Sequence, residues 1–312
     1  MSATDPIFKI TPLPQQRLWG TQRLSAQFEP KPQGDPYGEI FLCSAMSDAD
    51  CLIDGMTLTQ FYQKHQESYF GIQCALFPLR VNLIDTAAAL SIQVHPDHRI
   101  TAPLGYPHGV HEFWLILDSD QGSSIELGHN APDKYVLKKA IEEGSLSAYL
   151  INKSVDRNDF FYLPPGTIHA IGKGLTVYEL TDNLDITYRV YDYDRIQAST
   201  GKKRQLHIDQ ALDVITFPQH GQSGILDEQG ASVKVLIDQP EIFTLIQWTC
   251  DGSLTLPIDT FYVVTVVEGE GSIDSIPVKA YDTFLIPKTR LSLHIEGKLR
   301  MLAATVHEKG SL

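Results

Sequence analysis

Along most of the chain, short runs of apolar and β-branched residues alternate with clusters of Gly, Pro, Asp and Asn. FKITPL, EIFLCSA, LRVNLI, LSIQVH, HEFWLIL, DFFYLP, LTVYEL and ITYRVYDY follow one another in this way. Runs of that length, rich in Ile, Val, Tyr and Phe between turn residues, predict a mainly β protein with antiparallel strands in a sandwich or barrel. Three segments carry a helical period instead. TLTQFYQKHQESYFG, residues 57–71, opens on Thr57 as an N-cap, and Leu58, Phe61 and Tyr62 form an i, i+3, i+4 stripe. APDKYVLKKAIEEG, residues 131–144, has Pro near its start and Gly just past its end. QLHIDQALDVI, residues 205–215, reads as a helical connector. The strand pattern then resumes in VKVLI, FTLIQWT, FYVVTVVEG, GSIDSIPV, DTFLIPK, LSLHIEG and MLAATV. FYVVTVVEGEGSI…VKAYDTFLIP repeats the order of FWLILDSDQGSSIEL…DRNDFFYLPPGTIH: an apolar strand, an acidic Gly-rich turn, then a polar-aromatic run ending in Pro. The repeat predicts a duplicated barrel in which only the first copy keeps a polar site, with domains at 1–216 and 217–312.

Composition narrows the partners. The 312 residues are 43% hydrophobic, which suits a folded chain with a sizeable core. Lys and Arg number 25 against 38 Asp and Glu, for a net charge of −13, and no basic cluster stands out. Nucleic acid and anionic membranes are therefore excluded as main partners, while a few local arginines can still hold a small anion. No run has transmembrane length and MSATDPIFKI lacks the features of a signal peptide, so the expected location is the cytoplasm. Cys43, Cys51, Cys74 and Cys250 lack the close pairing of a zinc finger or redox motif and read as small buried side chains. Nothing in the sequence sets the oligomeric state.

Two short motifs carry candidate chemistry. In SIQVHPD, Gln93 and His95 are two residues apart, so on a strand their side chains project to the same side. That spacing suits a pair of metal ligands and equally suits the polar face of an ordinary strand. In DFFYLPPGTIH, Pro164 stiffens a turn, Gly166 tolerates positive φ, and His169 follows at a fixed offset. This second motif resembles that of the cupin β-barrels, whose terminal histidine binds metal. The first cupin motif supplies two ligands at i and i+2 and a later glutamate, an order met by Gln93, His95 and Glu112. The gap from His95 to Glu112 is longer than in a minimal cupin. Two imidazoles, a carboxylate and an amide oxygen suit a borderline divalent cation, with one Zn²⁺ per chain as the expected cofactor.

A wider resemblance surrounds these motifs. GTIHAIGKGLTVYELTDNLDITYRVYDYDR (166–195), LRVNLIDTAAALSIQVHPD, HEFWLIL, LWG at 18–20 and GE at 38–39 resemble the type I mannose-6-phosphate isomerases of the short bacterial form. The resemblance implies two cupin-like β-barrels (jelly rolls) with a small helical connector. It also implies zinc ligands at Gln93, His95, Glu112 and His169, and a metal-dependent aldose-ketose isomerase for mannose 6-phosphate and fructose 6-phosphate. It makes Arg189 the active-site arginine and Glu179 the candidate base, with His111 as the alternative. Asp185, Arg195, Trp19 and Glu39 would then line the sugar-phosphate site. The chain also departs from the family. Val110 and Asn82 stand where the family usually has lysines beside the substrate, and Thr181, Asp182 and Leu184 replace other usual residues. These departures keep open a related isomerase for another sugar or sugar phosphate, or a non-catalytic sugar-binding cupin.

Overall fold

The computed structural model describes residues 5–72, 74–106, 108–196, 201–217, 222–226, 233–239 and 242–306. The chain forms two compact units, neither contiguous in sequence. One is Pro14–Glu39 with Leu83–Leu226, and the other is Met1–Leu13 with Ile40–Asn82 and Asp227–Leu312. These compact units divide the chain differently from the expected partition into 1–216 and 217–312. Strand Thr283–Ile286 takes Phe8–Thr11 along its free edge, with Phe8 opposite Leu285 and Ile10 opposite Thr283. An uncovered edge would leave a row of backbone N–H and C=O groups unpaired, and the N-terminal strand satisfies them. Ile7 enters the same apolar core as Trp248, Phe284 and Met301. A linear run of hydrophobicity does not reveal which edge a distant strand will cover.

The C-terminal part of this unit orders its strands Val233–Gln239, Phe243–Pro257, Ser292–Thr305, Tyr262–Ile273 and Thr283–Ile286. LSLHIEG and MLAATV, separate runs in the sequence, are one strand here, paired along its length with Phe243–Pro257.

The other unit holds two sheets face to face. A five-stranded sheet runs in the order Leu150–Ser154, Ser124–His129, His169–Ile171, Ile92–Val94, Tyr188–Tyr191. Opposite it lie Gln222–Ile225, Asp159–Leu163, Glu112–Ser119 and Leu175–Asp182, in that order within a seven-stranded sheet. Ile125 and Ile171 from the first sheet share a core with Trp114, Ile116, Phe161 and Val177 from the second. This is the antiparallel, barrel-forming architecture the strand pattern predicts.

Two of the predicted helices brace the outer face of the five-stranded sheet. Lys134–Glu142 begins at Asp133, whose carboxylate accepts from Val136 N at 2.9 Å. Ile208–Val214 is the connector helix. Leu137, Ala211 and Leu212 from these helices pack on Ile92, Val94, Ala170 and Val190. Each such aliphatic side chain contributes about 1.5–3 kcal/mol on full burial. With odd and even positions pointing to opposite faces, Ile92, Val94, Ala170 and Val190 turn out to the helices, so Gln93, His95, His169 and Arg189 turn inward. The third helix, Leu58–His65, starts at Thr57 with the expected cap: Thr57 accepts from Gln60 N and Gln60 accepts from Thr57 N, both at 3.2 Å.

The duplication is visible in the backbone. Strand Glu112–Ser119 bulges between Ile116 and Asp118 against Leu175–Asp182, and Tyr262–Ile273 bulges between Val266 and Glu268 against Ser292–Thr305. Asn158 (φ 75°) and Tyr281 (φ 72°) each enter the next strand from the left-handed region. Asn158 N donates to Ile116 O at 2.8 Å and Tyr281 N to Val266 O at 2.7 Å. On this register Tyr262 replaces Glu112, and Ala303, opposite Val264, replaces Glu179, opposite Trp114. Among the described residues, no helix is long and apolar enough to cross a membrane.

Candidate metal centre

The inward positions of the two facing sheets converge. His95, Glu112 and His169 are all buried, and their ligand atoms lie within 4.8 Å of one another. His95 comes from the end of Ile92–Val94, His169 from the neighbouring strand where it pairs with Gln93, and Glu112 from the opposite sheet. The P-P-G turn places His169 as its sequence predicts. Gly166 has φ +80°, its N–H donates to His95 O at 2.9 Å, and its carbonyl accepts from Thr216 N at 3.1 Å. A Cβ there would lie 2.5 Å from Val214 O. Gly166→Ala is expected to cost about 2 kcal/mol or more, because both the left-handed backbone and the collision penalise it. Calorimetry would read this as a melting temperature several degrees lower, and an unchanged value would remove the turn from this role.

The donor set fits a divalent cation. His95 Nδ1 lies 2.8 Å from Ile186 O and His169 Nδ1 2.9 Å from Thr167 O. A carbonyl only accepts, so each Nδ1 carries its proton and each Nε2 lone pair faces inward. The two Nε2 atoms lie 3.0 and 3.4 Å from the Glu112 oxygens. Lone pairs aimed at a carboxylate repel it until a cation or a proton lies between them. Burial works against a proton on His95, but Glu112 and the Ile186 carbonyl outweigh it and raise that pKa; burial lowers His169 to about 4. A divalent metal would displace the proton from His95. Gln93 Nε2 lies 3.5 Å from His95 Nε2 and 3.4 Å from His169 Nε2, while its oxygen accepts from Ser91 Oγ at 3.0 Å. Its amide therefore joins the cluster, and turning the amide end for end presents the oxygen that a metal takes.

Around the cluster sit the other candidates. Glu179 is buried on the same inner face and accepts from Trp114 Nε1 at 3.2 Å; the Trp114 ring stands edge-on to His169 at 5.2 Å. Arg189 pairs in register with Gln93. Its Nε is buried, and among the described residues its guanidinium has no hydrogen-bond or ion-pair partner. Burial, and then the charge of Arg204, lowers its pKa, with Asp185 and Asp192 acting in the other direction. Asp185 is exposed and lies in the loop before the strand, which begins only at Tyr188.

His111, the alternative base, faces elsewhere. Its Nδ1 lies 2.6 Å from Tyr162 Oη, and Tyr162 pairs with Phe113, on the face opposite to Glu112 and Leu163. Burial lowers its pKa to about 3, so the ring stays neutral. Val110 and Asn82 are buried neutral side chains. Burial drives the Cys43 thiol well above its ordinary value and that of Cys51 to about 12, which removes both as nucleophiles.

Arg195, Trp19 and Glu39 form a second group outside the metal cluster. Arg195 spends all three nitrogens: Nη1 on Ala89 O at 2.6 Å, Nε on Asp192 O at 3.2 Å, and Nη2 on the Asp192 carboxylate. Glu39 accepts from Arg17 Nη2 at 2.8 Å, and Trp19 lies 6.0 Å from the Arg17 guanidinium and 5.5 Å from that of Arg204. Among the described residues, neither Trp19 nor Glu39 bonds to a member of the metal cluster. Arg204 and Asp192 carry no signal in the sequence, since both lie in irregular polar segments.

Known proteins give a consistent picture. A family model described as "Phosphomannose isomerase type I, catalytic domain" matches residues 7–135. The chain is 32% identical over 316 residues to the mannose-6-phosphate isomerase of Streptococcus mutans, covering 97% of this chain and 99% of that protein. The solved mannose 6-phosphate isomerase from Bacillus subtilis superposes with a TM-score of 0.88 at 30% identity, over 97% of this chain and 100% of that one. A zinc-bound mannose 6-phosphate isomerase superposes with a TM-score of 0.77 at 13% identity, a likeness of fold.

Proposed function

The chain belongs to the type I phosphomannose isomerase family, and from that premise we propose that it interconverts mannose 6-phosphate and fructose 6-phosphate, using one zinc ion held by Gln93, His95, Glu112 and His169. The observation that carries the reading is the pair of inward Nε2 lone pairs set 3.0 and 3.4 Å from one carboxylate, with Arg189, whose Nε has no partner among the described residues, in register with Gln93.

The reaction moves a proton between C1 and C2 through an enediol, so it needs a base and stabilisation of charge on oxygen. When bound, zinc supplies Lewis acidity toward the sugar oxygens. Glu179 takes the proton from one carbon and returns it to the other. Trp114 holds its carboxylate in place, and the barrel interior that encloses it excludes bulk water. Arg189 offers a guanidinium with donors to spare, and it steadies the negative oxygen as the proton leaves. Its low-dielectric surroundings strengthen that attraction. Asp185 lines the approach and Arg195 adds positive field.

A second reading, an isomerase for a related sugar, rests on the two buried neutral residues Asn82 and Val110. The deciding experiment is a coupled assay of the zinc-loaded protein with mannose 6-phosphate and a panel of sugars and sugar phosphates. Mannose 6-phosphate is expected to give the highest kcat/KM. Chelation should lower turnover by about 100-fold or more, and added zinc should restore it. Absence of mannose 6-phosphate turnover by protein with a full zinc complement would sink the proposal.

A further inference from the structure

We propose that Arg204, laid over Trp19 and oriented by Asp192, is a second anion-binding side chain, which receives the phosphate of the sugar. The inference rests on the isomerase reading above and extends it to a residue outside the metal motifs.

Asp192 is the hub. It is buried, and both its oxygens are engaged: Arg204 Nε donates to Oδ2 at 2.8 Å, while Arg204 Nη2 and Arg195 Nη2 both donate to Oδ1. Burial alone would raise its pKa, but the two arginines hold it below the usual carboxylate range. A fork of two bonds from one carboxylate fixes the plane of a guanidinium. For Arg204 that leaves Nη1 without a partner among the described residues, whereas every nitrogen of Arg195 already donates. Trp19 supports the Arg204 guanidinium from 5.5 Å, within cation–π range. Arg17 approaches the same ring, but its charge is answered by Glu39 at 2.8 Å.

The fork also sits beside the metal strand. His207, three residues beyond Arg204, donates its backbone N–H to Arg189 O at 2.7 Å, and its Nδ1 accepts from Arg189 N at 3.2 Å. Arg189 in turn is the register partner of Gln93. Three guanidiniums, of Arg189, Arg195 and Arg204, therefore meet two carboxylates, those of Asp192 and Asp185, in a protein whose net charge is −13. A local cation surplus in an acidic chain, with the Arg204 guanidinium held flat and its Nη1 without a partner among the described residues, suits a phosphate monoester. The side chain of Arg204 keeps 18% exposure, enough for a ligand oxygen to reach it.

The test is Arg204→Met, which keeps an apolar stem over Trp19 and removes the charge. KM for mannose 6-phosphate is expected to rise about 10- to 100-fold, as for loss of a charge-assisted hydrogen bond, with kcat changing less than about threefold. The inhibition constant for inorganic phosphate should rise in parallel, with zinc content unchanged. Arg204→Lys, which keeps the charge but not the fork, should fall between the two. Wild-type KM and phosphate inhibition in Arg204→Met would overturn the proposal, whatever its turnover. Should Arg204→Met fail to fold, Arg204→Lys and Trp19→Leu decide in its place: weakened phosphate inhibition in both supports the assignment, and wild-type values in either overturn it. If the wild-type protein turns over no mannose 6-phosphate, the isomerase reading fails separately. Calorimetric titration of the zinc-loaded protein with inorganic phosphate then judges Arg204, and binding equal in wild type and Arg204→Met overturns the role.

Discussion

Glu179→Gln is expected to lower kcat by about 10³-fold while the protein keeps its zinc, because a general base contributes on that scale and an amide cannot take the proton. The substitution is nearly isosteric. Its remaining carbonyl oxygen can still accept from Trp114 Nε1, now 3.2 Å from the carboxylate, so the packing of the inner face is preserved. Glu179 stands outside the group formed by His95, Glu112 and His169, and its loss leaves those ligands in place. Zinc content measured by atomic absorption, alongside kcat, separates the two effects. A variant that retains both zinc and more than a tenth of wild-type kcat would place the base elsewhere.

Glu112→Gln carries the second large effect, through the metal. Glu112 is the only carboxylate among the proposed ligands and the only one supplied by the seven-stranded sheet. Replacing it removes the negative charge that offsets part of a dication and leaves only neutral donors. Zinc affinity is expected to fall by about 100-fold or more, with activity lost at limiting zinc and partly recovered when zinc is in excess. A competition titration against a chelator reads this directly. Affinity within threefold of wild type would remove Glu112 from the coordination sphere. The same Glu-to-Gln change at two positions thus gives opposite readouts: metal lost at one, metal kept and chemistry lost at the other.

Much of this site is legible in the sequence because its ligands follow local rules. The i, i+2 spacing of Gln93 and His95 fixes their common face, and Gly166 fixes the turn that delivers His169. Capping chemistry likewise marks the helix after Thr57. What escapes is whatever depends on distant partners. His111 is next to Glu112 in sequence, yet one residue of strand alternation sends it to Tyr162 on the far face. Arg195 reads from sequence as a residue of the sugar-phosphate site, and its bonds to Asp192 and Ala89 show only in the fold. Arg204 acquires a role only when residues 17–19 and 189–192 fold beside it. The pairing of Phe8–Thr11 with Thr283–Ile286 escapes for the same reason, since a linear pattern does not show which distant strand edge is open.

The paired bulges and the paired left-handed residues Asn158 and Tyr281 let the chain act as its own control. Whatever both copies keep answers to folding, since among the described residues the one candidate metal cluster, His95, Glu112 and His169, lies in the first copy. Whatever survives in one copy alone answers to chemistry. Comparing the two copies singles out Glu112 and Glu179, where the second has Tyr262 and Ala303, without reference to any other protein. The first copy buries carboxyl groups at these two addresses, so with metal bound there its resistance to unfolding should depend on metal in a way that the second copy's does not.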